Sequence, residues 1–416
     1  SDLTFGLMVV ARHKIAHREA PPPISAMEQL KHRDKVLVAT LLRYCKWANA
    51  AYMESFDMAV EVLEIPADDI ILSVFTPNAL RPCHIFGYDH SRRTIVLAIR
   101  GTFSVKDVLT DLSATPDEQL GGLVHRGIYH AACWFRDHFK HEFVAALKAH
   151  PTYSLVITGH SLGAGTASLL TMLLVKDFPS ILCYGFATPA VVSENLLREY
   201  DGVSYYDNII NIVNQDDCIP RFSLGNVDDI RMIIEQYPWK NVLIDEAKQS
   251  RFIRSIADSK AASAASATDT KLRELGSKIT QSRPIQDTKS GMAKVHQGMK
   301  GSAKKLSNLL LFNKGNKSGG GSGDAASKTE ETATFLTYES GSSWHDLAAE
   351  SSSEIDLETL VPPKLYPPGH IYHLLETEGQ FVMYEGDQHR ICGEIILSKT
   401  MLSDHGLAAY ETVLEG

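Results

Sequence analysis

Short apolar runs and amphipathic stretches alternate along two parts of this chain of 416 residues. Helical spacing is clearest over about 27–52, where Leu37, Leu41 and Tyr44 recur at intervals of three and four. Runs typical of strands are 84–88, 94–99, 154–158, 181–186, 209–214, 370–375, 380–384 and 394–397. The first two runs should pair as a hairpin, because turn-forming residues join them. Together these runs predict an α/β fold with a mostly parallel central sheet flanked by helices.

The pattern changes between about residues 243 and 362. Ala, Ser, Lys, Gly and Thr dominate there, and Ser318–Gly323 has the composition of a flexible linker. We therefore expect a flexible lead-in over 1–25, one globular domain made of 26–242 and 363–416, and a long, disordered regulatory insertion over 243–362. The insertion could serve solubility alone, or its basic amphipathic stretch 292–312 could contact a membrane surface.

A serine stands in a tight turn between a predicted strand and a helix rich in small residues. Leu155–Ile157 is apolar, and Gly159 and Gly163 flank Ser161 two residues away on either side. In a Gly-x-Ser-x-Gly turn the backbone holds the hydroxyl clear of the sheet, at the positive end of the helix that follows. This context predicts Ser161 as the nucleophile of an acyl-transfer site, with the amide of Leu162 as an oxyanion donor.

Partners for this serine are expected at the ends of other strands. Asp216 and Asp217 follow the strand 209–214, where the acid of a hydrolase triad belongs, and neighbouring side chains point in opposite directions, so spacing leaves both open. His405 follows the last predicted strand and completes the order serine, aspartate, histidine. Thr102, at the end of the strand 94–99, is the second predicted oxyanion donor, since ligands of α/β sheets bind at this edge.

Composition narrows the class of protein further. A hydrophobic content of 44% and a charged content of 22% are typical of a globular chain with a large core. The formal net charge of -9 argues against a nucleic-acid partner. No apolar run approaches the roughly 18 residues that a membrane-spanning helix needs. The 6 cysteines lack metal-type spacing, so we expect buried free thiols in a reducing compartment.

Seven motifs occur in the order in which the class 3 lipases carry them, and the chain resembles that family. The motifs are Ile99–Thr102, Asp107–Leu112, Val124–Gly127, Gly159–Gly163, Asp217–Arg221, Leu365–Gly369 and Met401–His405. Within the family, the sn-1-specific diacylglycerol lipases are the most similar. Animal diacylglycerol lipases also carry a long insertion before the histidine, and an amino-terminal four-helix membrane domain that this chain does not include.

The resemblance implies an α/β-hydrolase fold with Ser161 as nucleophile, Asp217 as orienting acid and His405 as base. Thr102 and Leu162 would supply the oxyanion amides, and no metal or other cofactor is implied. The implied reaction hydrolyses an acyl ester of diacylglycerol, at the sn-1 position, to a monoacylglycerol and a free fatty acid.

The same motifs are compatible with other functions. A phospholipase A1 or a triacylglycerol lipase could use the same scaffold, and a non-catalytic lipid-binding protein could share it. We expect a membrane lipid as the substrate and no nucleic-acid partner. We also expect a peripheral position on the cytoplasmic side of a membrane, with a transmembrane domain upstream in a longer protein.

Overall fold

An eight-stranded sheet forms the centre of the protein. The computed structural model describes residues 34–76, 82–102, 108–109, 111–112, 116–236, 241, 362–377 and 380–415. The strands are β1 (Ile70–Val74), β2 (His84–Asp89), β3 (Thr94–Ile99), β4 (Pro116–Gln119), β5 (Gly122–His125), β6 (Ser154–His160), β7 (Leu182–Phe186), β8 (Glu199–Tyr200), β9 (Val203–Ser204), β10 (Ile209–Asn214), β11 (His370–Thr377) and β12 (Gln380–Gly386).

The order across the central sheet is β1-β2-β3-β6-β7-β10-β11-β12. Strands β3, β6, β7, β10 and β11 run parallel to their neighbours within this group. The remaining members β1, β2 and β12 pair antiparallel at the two edges. Two small hairpins, β4–β5 and β8–β9, lie outside the sheet. The carboxyl ends of the parallel strands therefore meet at one edge, which is where the candidate site lies.

Helices pack on both faces of the sheet, with α1 (Asp34–Ala50) on one face and α3 (Arg126–Ala149) on the other. The other helices of the described residues are α2 (Phe56–Leu63), α4 (Leu162–Leu174), α5 (Leu224–Gln236), α6 (Gln388–Cys392) and α7 (Leu407–Glu415). Val96 and Ala98 of β3 belong to the cluster that packs on α1, while Phe86 of β2 packs against Phe139 of α3. Every residue of β3 is buried, because helices shield the strand from both sides. The expected α/β-hydrolase fold is thus confirmed.

Most of the predicted strands are confirmed and one is wrong. The β2–β3 hairpin forms, and β10 covers the predicted residues 209–214. The predicted strand 394–397 does not form; this segment is irregular, although Ile395 and Leu397 are buried. The apolar residues of this run have the burial that a strand would give them, but the backbone pairs with no other described strand. The predicted lead-in 1–25 lies outside the described residues, as does the insertion 243–362 apart from its last residue.

The described residues within 34–229 and 362–415 belong to one compact unit, and α5 from Ile230 onwards belongs to a second. Within the part of the chain that the structure describes, no helix is both long and apolar enough to cross a bilayer. All six cysteines are free, five of them buried, while Cys133 is half-buried.

A buried carboxylate joins α1 to the β2–β3 hairpin. Asp89 is fully buried and accepts hydrogen bonds from Arg43 Nε, from Trp47 Nε1 (3.1 Å) and from the Ser91 hydroxyl (2.6 Å). Burial by itself raises the pKa of the Asp89 carboxyl, but the bonds from Ser91, Arg43 and Trp47 outweigh burial and hold the pKa below its ordinary value. The ionised carboxylate therefore stabilises the fold.

Replacing this carboxylate should destabilise the protein. Asp89→Asn leaves the Arg43 guanidinium without its anion, and we expect the free energy of unfolding to fall by about 3 kcal/mol at pH 7. Because the folded pKa of Asp89 is depressed, its contribution is complete above the unfolded value of about 3.9 and is lost as the pH falls through the folded value. Urea denaturation at pH 7 and at pH 3 measures both effects.

Asp177→Asn is the matched control. This carboxylate pairs with Lys140 at the surface and is 42% exposed, so the change should cost about 0.5 kcal/mol or less. Equal losses for Asp89→Asn and Asp177→Asn would contradict the anchoring role of Asp89.

Candidate active site

The turn that carries Ser161 has almost no free space. Ser161 links β6 to α4 with φ 59° and ψ −130°, a backbone conformation that is strained for a residue other than glycine. A Cβ atom on Gly163 would lie 2.1 Å from the Ile99 carbonyl oxygen, and one on Gly159 would lie 2.6 Å from the Gly163 carbonyl carbon. Glycine is therefore required on both sides, because the end of β3 passes directly against the turn.

The three residues predicted as a triad lie within hydrogen-bonding distance. His405 Nε2 lies 3.1 Å from Ser161 Oγ, and His405 Nδ1 lies 3.2 Å from both carboxylate oxygens of Asp217. A neutral imidazole with its proton on Nδ1 would donate to Asp217 and accept from the serine hydroxyl. Ser161 and Asp217 are fully buried and His405 is 3% exposed. The arrangement can therefore transfer a proton from the serine to the histidine in a site shielded from water.

Asp217 is kept ionised in spite of its burial. Tyr410 of α7 donates its hydroxyl to Asp217 Oδ2 over 2.6 Å, and the Ile219 amide donates to Oδ1 over 2.9 Å. Burial raises the pKa of the Asp217 carboxyl, but the neighbouring His405 and these hydrogen bonds together lower it below its ordinary value. The ionised carboxylate can therefore accept a charge-assisted hydrogen bond from the Nδ1 proton of His405.

The two adjacent aspartates have different surroundings. The carboxylate of Asp217 faces His405, whereas the Asp216 amide donates a hydrogen bond to Asp404 Oδ2 over 3.1 Å. Asn214 Nδ2 donates to the Asp404 carbonyl over 3.0 Å. Asp404 thus joins the turn that carries Asp216 and Asp217, which we call the acid turn, to the loop that carries His405. The ambiguity left by the spacing is resolved in geometry, with Asp217 as the partner of His405.

The predicted oxyanion residues flank the serine. Leu162 is the first residue of α4, whose leading amides have no partner within the helix. A Cβ atom on Gly101 would lie 3.1 Å from the Leu162 nitrogen, so the loop after β3 runs beside that amide. The Thr102 hydroxyl donates to Asp111 Oδ2 over 3.3 Å. This bond fixes the Thr102 side chain and leaves its amide as the predicted donor.

A buried histidine supports the segment that contains Asp111. His125 Nδ1 accepts from the Ile128 amide over 3.3 Å, so Nε2 carries the proton and donates to the Asp111 carbonyl over 3.1 Å. Burial lowers the pKa of His125 to about 4. His125 therefore stays neutral and has a structural role.

A fully buried arginine holds the acid turn from behind. Arg221 Nη1 donates to the Asp217 carbonyl over 2.5 Å, Nη2 donates to the Gln215 carbonyl over 3.1 Å, and Nε donates to the Ile391 carbonyl over 2.8 Å. Gln215 has a positive φ of 46°, which is unfavourable for its side chain. His373 Nε2 lies 2.7 Å from the same Gln215 carbonyl. The hydrogen bonds thus stabilise a strained turn that aims Asp217 at the histidine.

Several of these contacts were missed from the sequence. Arg221 lies inside the motif Asp217–Arg221, but a motif does not state what each side chain touches. Tyr410 lies outside every motif, and a tyrosine in a helix carries no local signal of its partners. Only the folded chain brings them to the site.

Residues 96–227 match the sequence model of a family described as Lipase (class 3). Diacylglycerol lipase-beta of Mus musculus is 35% identical over 151 residues, which are 34% of this chain and 22% of that protein. Diacylglycerol lipase-alpha of Homo sapiens is 32% identical over 157 residues, which are 34% of this chain and 15% of that protein. The matched region thus spans less than a quarter of either relative.

Among solved structures, the triacylglyceride lipase of Rhizomucor miehei aligns with a TM-score of 0.40 and 20% sequence identity. The alignment covers 45% of this chain and 74% of that lipase.

The Tyr410 hydroxyl should influence the reactivity of Ser161. Tyr410→Phe removes one hydrogen bond from the ionised carboxylate that orients His405, and we expect labelling of Ser161 by a fluorophosphonate to slow about tenfold. Tyr205→Phe is the control, since that buried hydroxyl bonds to the Leu196 carbonyl outside the triad. Peptide mass spectrometry identifies the labelled serine. Equal labelling rates for the two variants would argue against the role of Tyr410.

Loss of the Arg221 guanidinium should destabilise the fold as well as the acid turn. Arg221→Met removes the guanidinium donors from the Asp217 and Ile391 carbonyls and one of two partners from the Gln215 carbonyl, and we expect the free energy of unfolding to fall by about 3 kcal/mol. Arg136→Met removes a guanidinium that pairs with Asp137 at the surface and should change stability by about 0.5 kcal/mol or less. Urea denaturation of both variants measures the difference. A small loss for Arg221→Met would show that the acid turn does not depend on the arginine.

Proposed function

We propose that this chain, whose residues 96–227 match the class 3 lipase family, is a serine lipase that hydrolyses an acyl ester of diacylglycerol to a monoacylglycerol and a free fatty acid. The observation that carries the proposal is the continuous hydrogen bonding from Ser161 through His405 to Asp217. We propose Ser161 as nucleophile, His405 as general base and acid, and Asp217 as the orienting carboxylate.

The first half of the proposed reaction is acylation of the serine. His405 Nε2 takes the proton of Ser161 as the hydroxyl oxygen attacks the ester carbonyl carbon. The amides of Thr102 and Leu162 stabilise the oxyanion that forms, at about 3 kcal/mol for each donor. The carbon–oxygen bond to the glycerol then breaks, and the leaving alkoxide takes the proton from His405. The monoacylglycerol departs with its new hydroxyl group.

The second half returns the enzyme to its starting state. His405 takes a proton from a water molecule, whose oxygen attacks the acyl-serine carbonyl carbon. The second tetrahedral intermediate collapses, the free fatty acid leaves, and the proton on His405 returns to Ser161. Asp217 stays ionised throughout and stabilises the imidazolium in each half.

Similarity to the two diacylglycerol lipases supports diacylglycerol as the substrate, and we propose hydrolysis at the sn-1 position. A phospholipase A1 or a triacylglycerol lipase would use the same triad, since the acyl-transfer chemistry does not depend on the third glycerol substituent. A non-catalytic lipid-binding protein would have no use for an ionised Asp217 hydrogen-bonded to a histidine beside a strained serine.

Because diacylglycerol resides in bilayers, we propose that the chain works as a peripheral protein at the cytoplasmic surface of a membrane. The predicted contact through 292–312 lies outside the described residues and stays a prediction. The net charge of -9 supports the expectation that no nucleic acid is bound.

Fatty-acid release from mixed micelles tests the substrate and the nucleophile together. Diacylglycerol, phospholipid and triacylglycerol are offered in parallel, with the acyl chains at the two positions of diacylglycerol labelled differently. We expect diacylglycerol to be cleaved at sn-1, and we expect Ser161→Ala to lose at least about 1,000-fold in kcat, because the nucleophile is removed.

Ser168→Ala is the matched control, a second buried serine on α4 that lies away from the triad and should leave kcat unchanged. Preferential cleavage of phospholipid or triacylglycerol would overturn diacylglycerol as the proposed substrate but would leave the proposed triad intact. Full activity in Ser161→Ala would overturn the triad itself.

A further inference from the structure

Hydrogen bonds outside the triad connect the loop after β3 to the loop that carries His405. The Gly101 amide lies 3.1 Å from the Tyr52 hydroxyl oxygen, and that oxygen lies 3.0 Å from His160 Nδ1. His160 Nε2 lies 2.8 Å from the carbonyl oxygen of His405. Tyr52 follows α1, and His160 immediately precedes the serine. Four segments that are distant along the chain are therefore joined by one series of contacts.

The donors and acceptors in this series have one consistent direction. The His405 carbonyl only accepts, so His160 Nε2 must carry a proton and donate. A neutral imidazole has one such proton, which leaves Nδ1 as an acceptor for the Tyr52 hydroxyl. The Tyr52 oxygen then accepts from the Gly101 amide. Each of the three contacts that link Gly101, Tyr52, His160 and His405 thus has one donor and one acceptor.

The protonation states that this direction needs are favoured by the surroundings. Burial and the nearby His405 lower the pKa of His160 to about 3, so its imidazole is neutral near pH 7. Burial raises the pKa of the Tyr52 hydroxyl, so it keeps its proton. The rings of His160 and His405 lie against each other with centroids 4.7 Å apart. A neutral His160 adds no charge beside an imidazolium at His405.

The same contacts leave no space between the loop and the serine turn. A Cβ atom on Gly101 would lie 2.6 Å from the His160 carbonyl oxygen and 2.8 Å from the Tyr52 hydroxyl oxygen. A shift of this loop by a fraction of an ångström would move the Thr102 amide relative to Leu162. Small displacements of that kind weaken oxyanion stabilisation, because it requires donors within hydrogen-bonding distance of the oxyanion.

We propose that Tyr52 and His160 are positioning residues that act as one hydrogen-bonded unit. Together they hold the loop after β3, which carries Thr102, and the loop that carries His405 at fixed places relative to Ser161. The role rests on the proposed function, since it concerns the same acyl transfer. Neither side chain exchanges a proton with the substrate. Their effect is to keep Thr102, Leu162 and His405 aligned as charge develops in the transition state.

Tyr52→Phe tests the proposal with the removal of a single oxygen atom. We expect kcat for diacylglycerol to fall about tenfold with KM within about twofold, because alignment in the transition state is lost while substrate binding is kept. Rates are expressed per active site titrated with a fluorophosphonate, so misfolded protein does not count. Tyr44→Phe is the control, because its buried hydroxyl on α1 bonds to Thr94 away from the site. An unchanged kcat per titrated site in Tyr52→Phe would overturn the proposal.

A double mutant tests whether the two residues act as one unit. His160→Leu removes the middle of the series, and we expect the double variant with Tyr52→Phe to be no slower than His160→Leu alone, within about twofold. Losses that multiply would mean that the residues act independently and would overturn the proposed unit.

A measurement without substrate separates this proposal from the proposed function. Nitrogen-15 NMR of histidine-labelled protein, with the His160 signals assigned by their loss in His160→Leu, shows which ring nitrogen carries the proton. We expect Nε2, with a shift of the Nδ1 signal in Tyr52→Phe; a proton on Nδ1 would overturn the series. A wild-type chain that is not labelled at Ser161 would instead count against the proposed function.

Discussion

The close approach of backbone to backbone at the serine turn is the constraint on which the rest of the site depends. The end of β3, the turn at Ser161 and the first turn of α4 are so near one another that Gly159 and Gly163 have no space for a Cβ atom. This crowding holds the serine in its strained conformation and brings the loop after β3 beside the Leu162 amide. Nucleophile and predicted oxyanion donors are therefore positioned by main chain, which is less mobile than long side chains.

Loops that carry functional groups need support of another kind, and buried polar contacts supply it. Behind the acid turn, Arg221 carries a full positive charge and is surrounded by carbonyl oxygens. Beside His405, by contrast, Tyr52 and His160 are neutral. This difference suits the chemistry, because a fixed cation next to His405 would oppose formation of the imidazolium. Each contact set satisfies groups whose burial would otherwise be unfavourable.

The sequence predicts the α/β fold and the central position of Ser161 because both depend on local patterns. Apolar runs of strand length and a glycine-flanked serine are visible within a few residues. Spacing could not choose between Asp216 and Asp217, since the choice depends on how the strained Gln215 turns the chain. Tyr410 and Tyr52 were invisible for a related reason: their partners are distant in sequence. The wrongly predicted strand 394–397 shows that buried apolar side chains do not by themselves require the backbone to pair with a neighbouring strand.

Strand β10, which leads into the turn that carries Asp217, pairs in parallel with β11, and Ile210 lies opposite His370. This register fixes the residues at which the chain leaves the sheet after β10 and returns to it at β11. It does not restrict the number of residues between the two strands. The entropic cost of closing such a loop grows only logarithmically, by roughly 0.6 kcal/mol for each doubling of length. Insertions or deletions between β10 and β11 would therefore cost little free energy of loop closure, provided that the register of the two strands is kept.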